Sequence, residues 1–252
     1  MKVGVALSGG GARGLAHLGV LKAIKERGFE VSIVSGTSSG ALVGAFFCHG
    51  YDPEEAFRII TETSIRKWLR PAYSRSGFLN IEAALKHLQL FFKDDTFESL
   101  KIPLVASATN LQAGTTTFFD TGKLSIAILA SSAVPVVFRP VKIENTFYVD
   151  GGILNNLPIE PLQGKCDKII GVNSNPIGEF NASNNFRSVL ERSLLMTINV
   201  NAYAKKPLCD LFIEPPGLRG VGVFQLKRAK HIFDAGYRSA SELLDSLATD
   251  WK

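Results

Sequence analysis

Residues Gly36-Thr37-Ser38-Ser39-Gly40 limit what this chain can fold into more than any other five. Before them stands Val31-Ser32-Ile33-Val34, a β-branched run that reads as a buried strand. After them comes Ala41-Leu42-Val43-Gly44-Ala45-Phe46-Phe47, an apolar run that reads as a buried helix. G-x-S-x-G between a strand and a helix is the nucleophile-elbow pattern. Gly36 and Gly40 allow the backbone to turn sharply, so Ser38 stands clear at a helix N-terminus. There the helix dipole and free backbone N–H groups can stabilise an oxyanion.

The remaining sequence supplies the α/β frame such an elbow needs. Strand-like and helix-like segments alternate, which predicts a mostly parallel sheet covered on both faces. Val3 to Leu7 reads as a buried strand, and Leu15, Leu18, Leu21 and Ile24 mark a helix from about Arg13 to Arg27. Asp52-Pro53-Glu54-Glu55 opens another helix, with a capping aspartate and proline at the first position. Asn80-Ile81-Glu82 starts one running to about Phe92. Further strands are expected at 103–108, 115–119, 168–172 and 211–214, and Lys142 to Val149 reads as one strand ending at Asp150. A long helix is expected from about Leu226 to Leu247, and the Asn-, Ser- and Gly-rich stretch Asn173 to Asn185 is expected to be flexible. A chain of 252 residues without a convincing linker suits one domain over 1–252.

Cysteines and charge narrow the setting. Cys48, Cys166 and Cys209 are odd in number and widely spaced, which argues against a disulfide framework or zinc site and for a reducing compartment. The first apolar run stops at Leu7, too short for a signal peptide, and no run approaches the roughly 18–20 residues that span a bilayer. A cytoplasmic location is expected. The net charge of +5 is unevenly placed: Arg66, Lys67, Arg70 and Arg75 fall in a stretch without acids, interleaved with Trp68, Leu69, Tyr73 and Phe78. Arg219, Lys227, Arg228 and Lys230 form a second basic stretch. Both suit peripheral contact with an anionic membrane at its inner face, where each cation contributes about 1 kcal/mol. Both equally suit solvated surface.

Ser8-Gly9-Gly10-Gly11-Ala12-Arg13-Gly14 follows the first strand and has two readings. Gly9, Gly11 and Gly14 fit the G-x-G-x-x-G of a dinucleotide loop. That reading needs an acidic residue at the end of the second strand, which closes instead in Ser35-Gly36. Consecutive glycine N–H groups also form an anion-binding nest, and next to a serine elbow such a nest serves as an oxyanion hole. The missing carboxylate favours the oxyanion hole.

A serine nucleophile needs a base. Of His17, His49, His87 and His231, only His231 comes late enough for the α/β-hydrolase order, and it sits in a basic helical stretch. His17 and His49 fall within the helices after the glycine loop and elbow, and are expected to point away from both turns. Asp150-Gly151-Gly152 is the better candidate, because its carboxylate ends a strand and its glycines permit close approach. An aspartate can take the hydroxyl proton directly in a partly dry pocket. The competing reading is an ordinary Asp-Gly turn.

With the glycine loop, the elbow and Asp150-Gly151-Gly152 in this order, the chain resembles the patatin-like phospholipases. Ala130-Ser131-Ser132-Ala133-Val134-Pro135-Val136-Val137-Phe138 and Ile153-Leu154-Asn155-Asn156-Leu157-Pro158 are similar to that family as well. The resemblance implies a three-layer α/β/α fold and a Ser–Asp dyad hydrolase of lipid acyl esters. Ser38 would be the nucleophile and Asp150 the base. The amides of Gly9, Gly10, Gly11 and Ser39 would form the oxyanion hole, with Gly36, Gly40, Gly151 and Gly152 in support. Arg13 would anchor the loop. A phospholipid or lysophospholipid would be the substrate, with no metal, nucleotide cofactor or nucleic acid required. No extra domain is apparent, so a secreted or toxin-type member is not expected. A general carboxylesterase or thioesterase, and a non-catalytic lipid-binding regulator, are the alternatives.

Overall fold

The computed structural model describes residues 1–62, 81–135, 137–179, 186–247 and 251. Its first half alternates as the hydrophobic pattern demands: β1 (Lys2–Leu7), α1 (Leu15–Glu26), β2 (Glu30–Thr37), α2 (Ser39–His49) and α3 (Pro53–Glu62). After α4 (Ile81–Gln89) come β3 (Leu104–Asn110), β4 (Thr115–Phe119) and α5 (Leu124–Ser131). β5 (Val141–Ile143), β6 (Thr146–Asp150) and β7 (Lys168–Val172) follow. The chain then runs through α6 (Phe186–Lys205), β8 (Leu211–Ile213) and α7 (Ala229–Asp245).

These strands form one sheet in the order β5-β6-β3-β2-β1-β7-β8, with β4 also on β3. β3, β2, β1, β7 and β8 are mutually parallel, whereas β4, β5 and β6 join at one side through antiparallel pairings. Side chains of β1 alternate between two apolar cores, as the period of a strand requires. Val3, Val5 and Leu7 pack with α1, α2 and α7 on one face, while Ala6 packs with Leu157, Ile159, Leu162 and Ala202 on the other. The result is the three-layer α/β/α arrangement.

The segment expected as a single strand from Lys142 to Val149 is a hairpin instead. Its turn is Glu144-Asn145, where Glu144 takes a left-handed φ of 54°. That correction decides where Asp150 goes. β4 covers one edge of β3 over Ala106–Asn110, so β2 and β6 must share the other. β2 runs along that edge until Thr37 pairs with Ser107, and β6 arrives from the opposite direction until Asp150 pairs with Ala108. Two strands thus meet end to end on one edge of β3. The end of β2 delivers the elbow and the end of β6 delivers the aspartate.

Candidate active site

Ser38 lies between β2 and α2 with φ 52° and ψ −120°, a conformation costly for a residue carrying a side chain. Its neighbours hold it there. The Ser38 N–H donates to Ser131 Oγ at 2.8 Å, and the Ser38 carbonyl accepts from Leu42 N at 3.1 Å. One residue back, Thr37 Oγ1 donates to the Asn155 carbonyl at 2.8 Å and shares a hydrogen bond with Ser107 Oγ. Gly40 then crosses β1 so closely that a β-carbon on it would lie 2.3 Å from the Leu7 carbonyl oxygen. Only glycine permits that crossing, which sets the N-terminus of α2 directly over the end of β1.

Asp150 is placed with equal care. Its N–H donates to the Ala133 carbonyl at 2.9 Å, and its carbonyl accepts from Thr109 Oγ1 at 3.0 Å. Its carboxylate accepts the Gly152 N–H at 2.7 Å and faces the Ser38 hydroxyl. Burial dominates its ionisation and pushes its pKa from the ordinary 3.8 up to about 6, against the opposing pull of those two donors. Ser38 and Asp150 are both buried, at 7% and 6% exposure.

The glycine loop flanks this pair. A β-carbon on Gly9 would sit 3.3 Å from Ser38 Cβ, and Gly14 lies against the Ser39 side chain. The loop amides are not equivalent. Gly9 N–H already donates to the Asn156 carbonyl at 3.2 Å, and Ala12 N–H to Val223 O at 2.7 Å. Among the described residues, the N–H groups of Gly10, Gly11 and Ser39 have no acceptor, and Gly11 holds a left-handed φ of 58°. Of the expected anion-binding set, Gly9 is therefore occupied, for the physical reason that its amide closes the loop onto Asn156. Arg13 is buried and its Nε donates to the Val221 carbonyl at 2.5 Å, tying the loop to the segment before α7.

His17, His49 and His231 each have other partners. His17 does not point away from the glycine turn as its helical position suggests: Nε2 bonds the Ser8 carbonyl at 2.8 Å. It is fully buried, and that desolvation lowers its pKa to about 4, so it is neutral at pH 7. His49 stacks on Tyr51, and His231 Nε2 bonds the Gly217 carbonyl at 3.0 Å. Among the described residues, no group of three or more His, Cys, Asp or Glu side chains is arranged to hold a metal ion.

One further stretch departs from the sequence reading. Asn173, Ser174 and Asn175, expected at the start of a flexible segment, are fully buried beside the glycine loop. Their polar character was visible, but only the position of β7 reveals that they enter the core. Arg66, Lys67, Trp68 and Arg70 lie outside the described residues.

The patatin-like phospholipase sequence pattern matches residues 5–162, a span that holds the glycine loop, the strand–turn–helix serine and the buried aspartate. The chain belongs to the patatin-like phospholipase family. A Mycobacterium tuberculosis protein described as an uncharacterised NTE family protein is 38% identical over 177 residues, 69% of this chain and 49% of its own length. The lysophospholipase nte1 of Neosartorya fischeri is 26% identical over 282 residues, covering 98% of this chain and 18% of that protein. This patatin-like chain thus spans about half the length of its mycobacterial relatives and less of the fungal one. Among solved structures, VipD from Legionella pneumophila shares the fold, with a TM-score of 0.64 at 16% identity over 97% of this chain and 66% of that one. Among the described residues, no helix is long and apolar enough to cross a membrane.

Proposed function

We propose that this patatin-like chain is a lipid acyl hydrolase of the phospholipase A or lysophospholipase type, working through a Ser38–Asp150 dyad. The observation that carries the reading is the meeting of β2 and β6 end to end on β3, which sets Ser38 beside a buried Asp150 carboxylate whose pKa is raised to about 6. A carboxylate at its ordinary pKa is a poor acceptor for a serine proton; raising its proton affinity by burial brings it toward the range of a working base.

In this mechanism Ser38 Oγ attacks the ester carbonyl carbon while its proton passes to Asp150. The carbonyl oxygen becomes an oxyanion, received by the N–H groups of Gly10, Gly11 and Ser39, each such donor being worth roughly 10²–10³ in rate. Collapse breaks the bond to the alcohol, which takes the proton back from Asp150 and leaves an acyl group on Ser38. Water then attacks this ester, Asp150 accepts its proton, and collapse returns that proton to Ser38 as the fatty acid departs. No step needs a metal or nucleotide.

Lipid substrates suit the surroundings. Ile153 and Leu154 follow Asp150-Gly151-Gly152 immediately and are 42% and 37% exposed, an apolar margin beside the dyad. The lysophospholipase named among the relatives supports the same substrate class. Contact with an anionic membrane through Arg66, Lys67, Trp68 and Arg70 belongs to this proposal and rests on their sequence pattern. The test is a panel of phospholipids, lysophospholipids, triglycerides and acyl-CoA, presented as monomers and as vesicles, with Ser38→Ala as control. Turnover that requires Ser38 and rises on vesicles supports the reading. Turnover confined to soluble esters would turn it toward a general esterase, and turnover untouched by Ser38→Ala would end it.

A further inference from the structure

Asn173, Ser174 and Asn175 follow β7 directly and are completely buried, although no step above uses them. The last two converge on one atom. Asn175 Nδ2 donates to the Gly9 carbonyl at 2.6 Å and Ser174 Oγ to the same oxygen at 3.2 Å, with Ser8 Oγ at 3.0 Å. The carbonyl fixes which way the Asn175 amide faces, because the reverse orientation would set oxygen against oxygen at that distance. Asn175 is itself fastened from behind. Asn199 Nδ2 on α6 donates to the Asn175 carbonyl at 2.7 Å, and Asn173 Nδ2 bridges Asn199 Oδ1 at 2.9 Å and Glu214 Oε1 at 2.7 Å.

The consequence follows from peptide geometry. The Gly9 carbonyl and the Gly10 N–H share one trans peptide plane and point in opposite directions. Holding the carbonyl toward residues 173–175 aims the Gly10 N–H to the other side. The preceding plane is fixed as well, since Gly9 N–H donates to the Asn156 carbonyl, and the Gly9 α-carbon between the two planes lies against Ser38. Three consecutive glycines would otherwise let this peptide rotate, because glycine accepts both signs of φ at little cost. A flipped plane would present a carbonyl where the anion-binding amide must stand.

We propose that Asn175, assisted by Ser174, is the positioning residue of the oxyanion site, locking the Gly9–Gly10 peptide so that the Gly10 N–H faces the acyl oxygen of an ester at Ser38. The inference rests on the reading of Ser38 as nucleophile. It makes the helix α6, through Asn199, the outer support of the anion-binding loop.

The test compares Asn175→Ala and Asn175→Asp with wild type and Ser38→Ala, using the full chain on p-nitrophenyl butyrate. Asn175→Asp keeps the shape but turns a carboxylate oxygen toward the Gly9 carbonyl. Both variants are expected to lose about 10²-fold in kcat, the size of one oxyanion donor, with KM held within about threefold. Affinity for a trifluoromethyl ketone, whose tetrahedral adduct carries the same oxyanion, is expected to fall by the same factor as kcat/KM. A merely structural role gives another result: fewer sites titrated by a fluorophosphonate, with the remaining sites turning over at the wild-type rate. That result, or wild-type kcat in a folded Asn175→Ala protein, overturns the inference. If neither Asn175 variant folds, Ser174→Ala decides: a roughly tenfold loss of kcat is expected for a weakened donor set, and wild-type kcat overturns the inference. A wild-type protein that hydrolyses no ester, or a Ser38→Ala protein that still does, overturns the parent reading instead and takes the inference with it.

Discussion

The Ser131 hydroxyl at the end of α5 accepts the backbone N–H of Ser38 at 2.8 Å, joining two residues 93 positions apart in the chain. Ser38 sits at a strained φ of 52°, and this bond reaches the strained residue itself rather than its flanks. Both residues are buried, so no bulk water competes for the bond.

Ser131→Ala is therefore expected to leave a buried N–H without its acceptor, at a cost of about 1–3 kcal/mol. Urea denaturation of the two proteins measures this directly. Turnover is expected to fall as well, because the elbow can then relax toward unstrained backbone. An unchanged midpoint together with unchanged turnover would show that the bond contributes nothing to the elbow.

Turnover should report the ionisation of Asp150. The carboxylate acts as base only when deprotonated, so kcat/KM is expected to rise with pH through about 6 and then stay level to about pH 8. His17, neutral across that range with its pKa lowered to about 4 and its Nε2 committed to the Ser8 carbonyl, adds no limb there. His231→Ala is expected to leave the profile unchanged. A limb near pH 7 that vanishes in a histidine variant would contradict the dyad.

Much of the arrangement could be read before any coordinates, because glycine and strand patterns are local. The elbow, the glycine loop and the first two βα units follow from β-branched runs, helical spacing and turn residues within a few positions of each other. What could not be read depends on neighbours distant in the chain. Helix α5 escaped notice because Leu124, Ser125, Ala127, Ile128, Ala130 and Ser131 are all buried, which leaves no polar face to mark a period. The hairpin after Lys142 was hidden because its turn, Glu144-Asn145, lacks the glycine that usually announces one. Asn173 to Asn175 read as a loop by composition, although each side chain makes hydrogen bonds to the glycine loop, α6 or one another. Polar residues look alike in sequence whether water or protein satisfies them.

Stability should betray the cost of keeping Asp150 ready. Its folded pKa of about 6 exceeds the ordinary 3.8, so the folded state holds a proton that the unfolded state has lost, and stability falls as pH rises from about 4 to 6. A shift of about two pKa units corresponds to roughly 3 kcal/mol. His17 acts in the opposite direction: with a folded pKa of about 4 against 6.5, it costs stability as pH falls from 6.5 toward 4. The two slopes offset one another in the wild type. Asp150→Asn keeps an oxygen for the Gly152 N–H and removes the buried charge. It is expected to be nearly inactive, more stable than wild type above pH 6, and to show the His17 slope alone below it. Melting curves from pH 4 to 8 check all three. Equal stability of both proteins at pH 8 would mean that the Asp150 carboxylate is better solvated than its burial indicates.

The crossing of α2 over β1 gives the most local test of the elbow. A methyl group on Gly40 would stand 2.3 Å from the Leu7 carbonyl oxygen and 2.7 Å from that of Ser8, both backbone atoms held in the sheet or at its end. Neither can swing aside as a flexible side chain would, so either β1 or the start of α2 must shift. Gly40→Ala is expected to cost at least about 1–3 kcal/mol, as overpacking a tight interior does. Any protein that folds should lose turnover beyond its loss of stability, because the displaced helix start carries the Ser39 N–H out of line with Ser38. The check is kcat per fluorophosphonate-titrated site beside the urea midpoint. A stable Gly40→Ala protein with wild-type turnover would show that α2 has room to move away from β1 without disturbing Ser38.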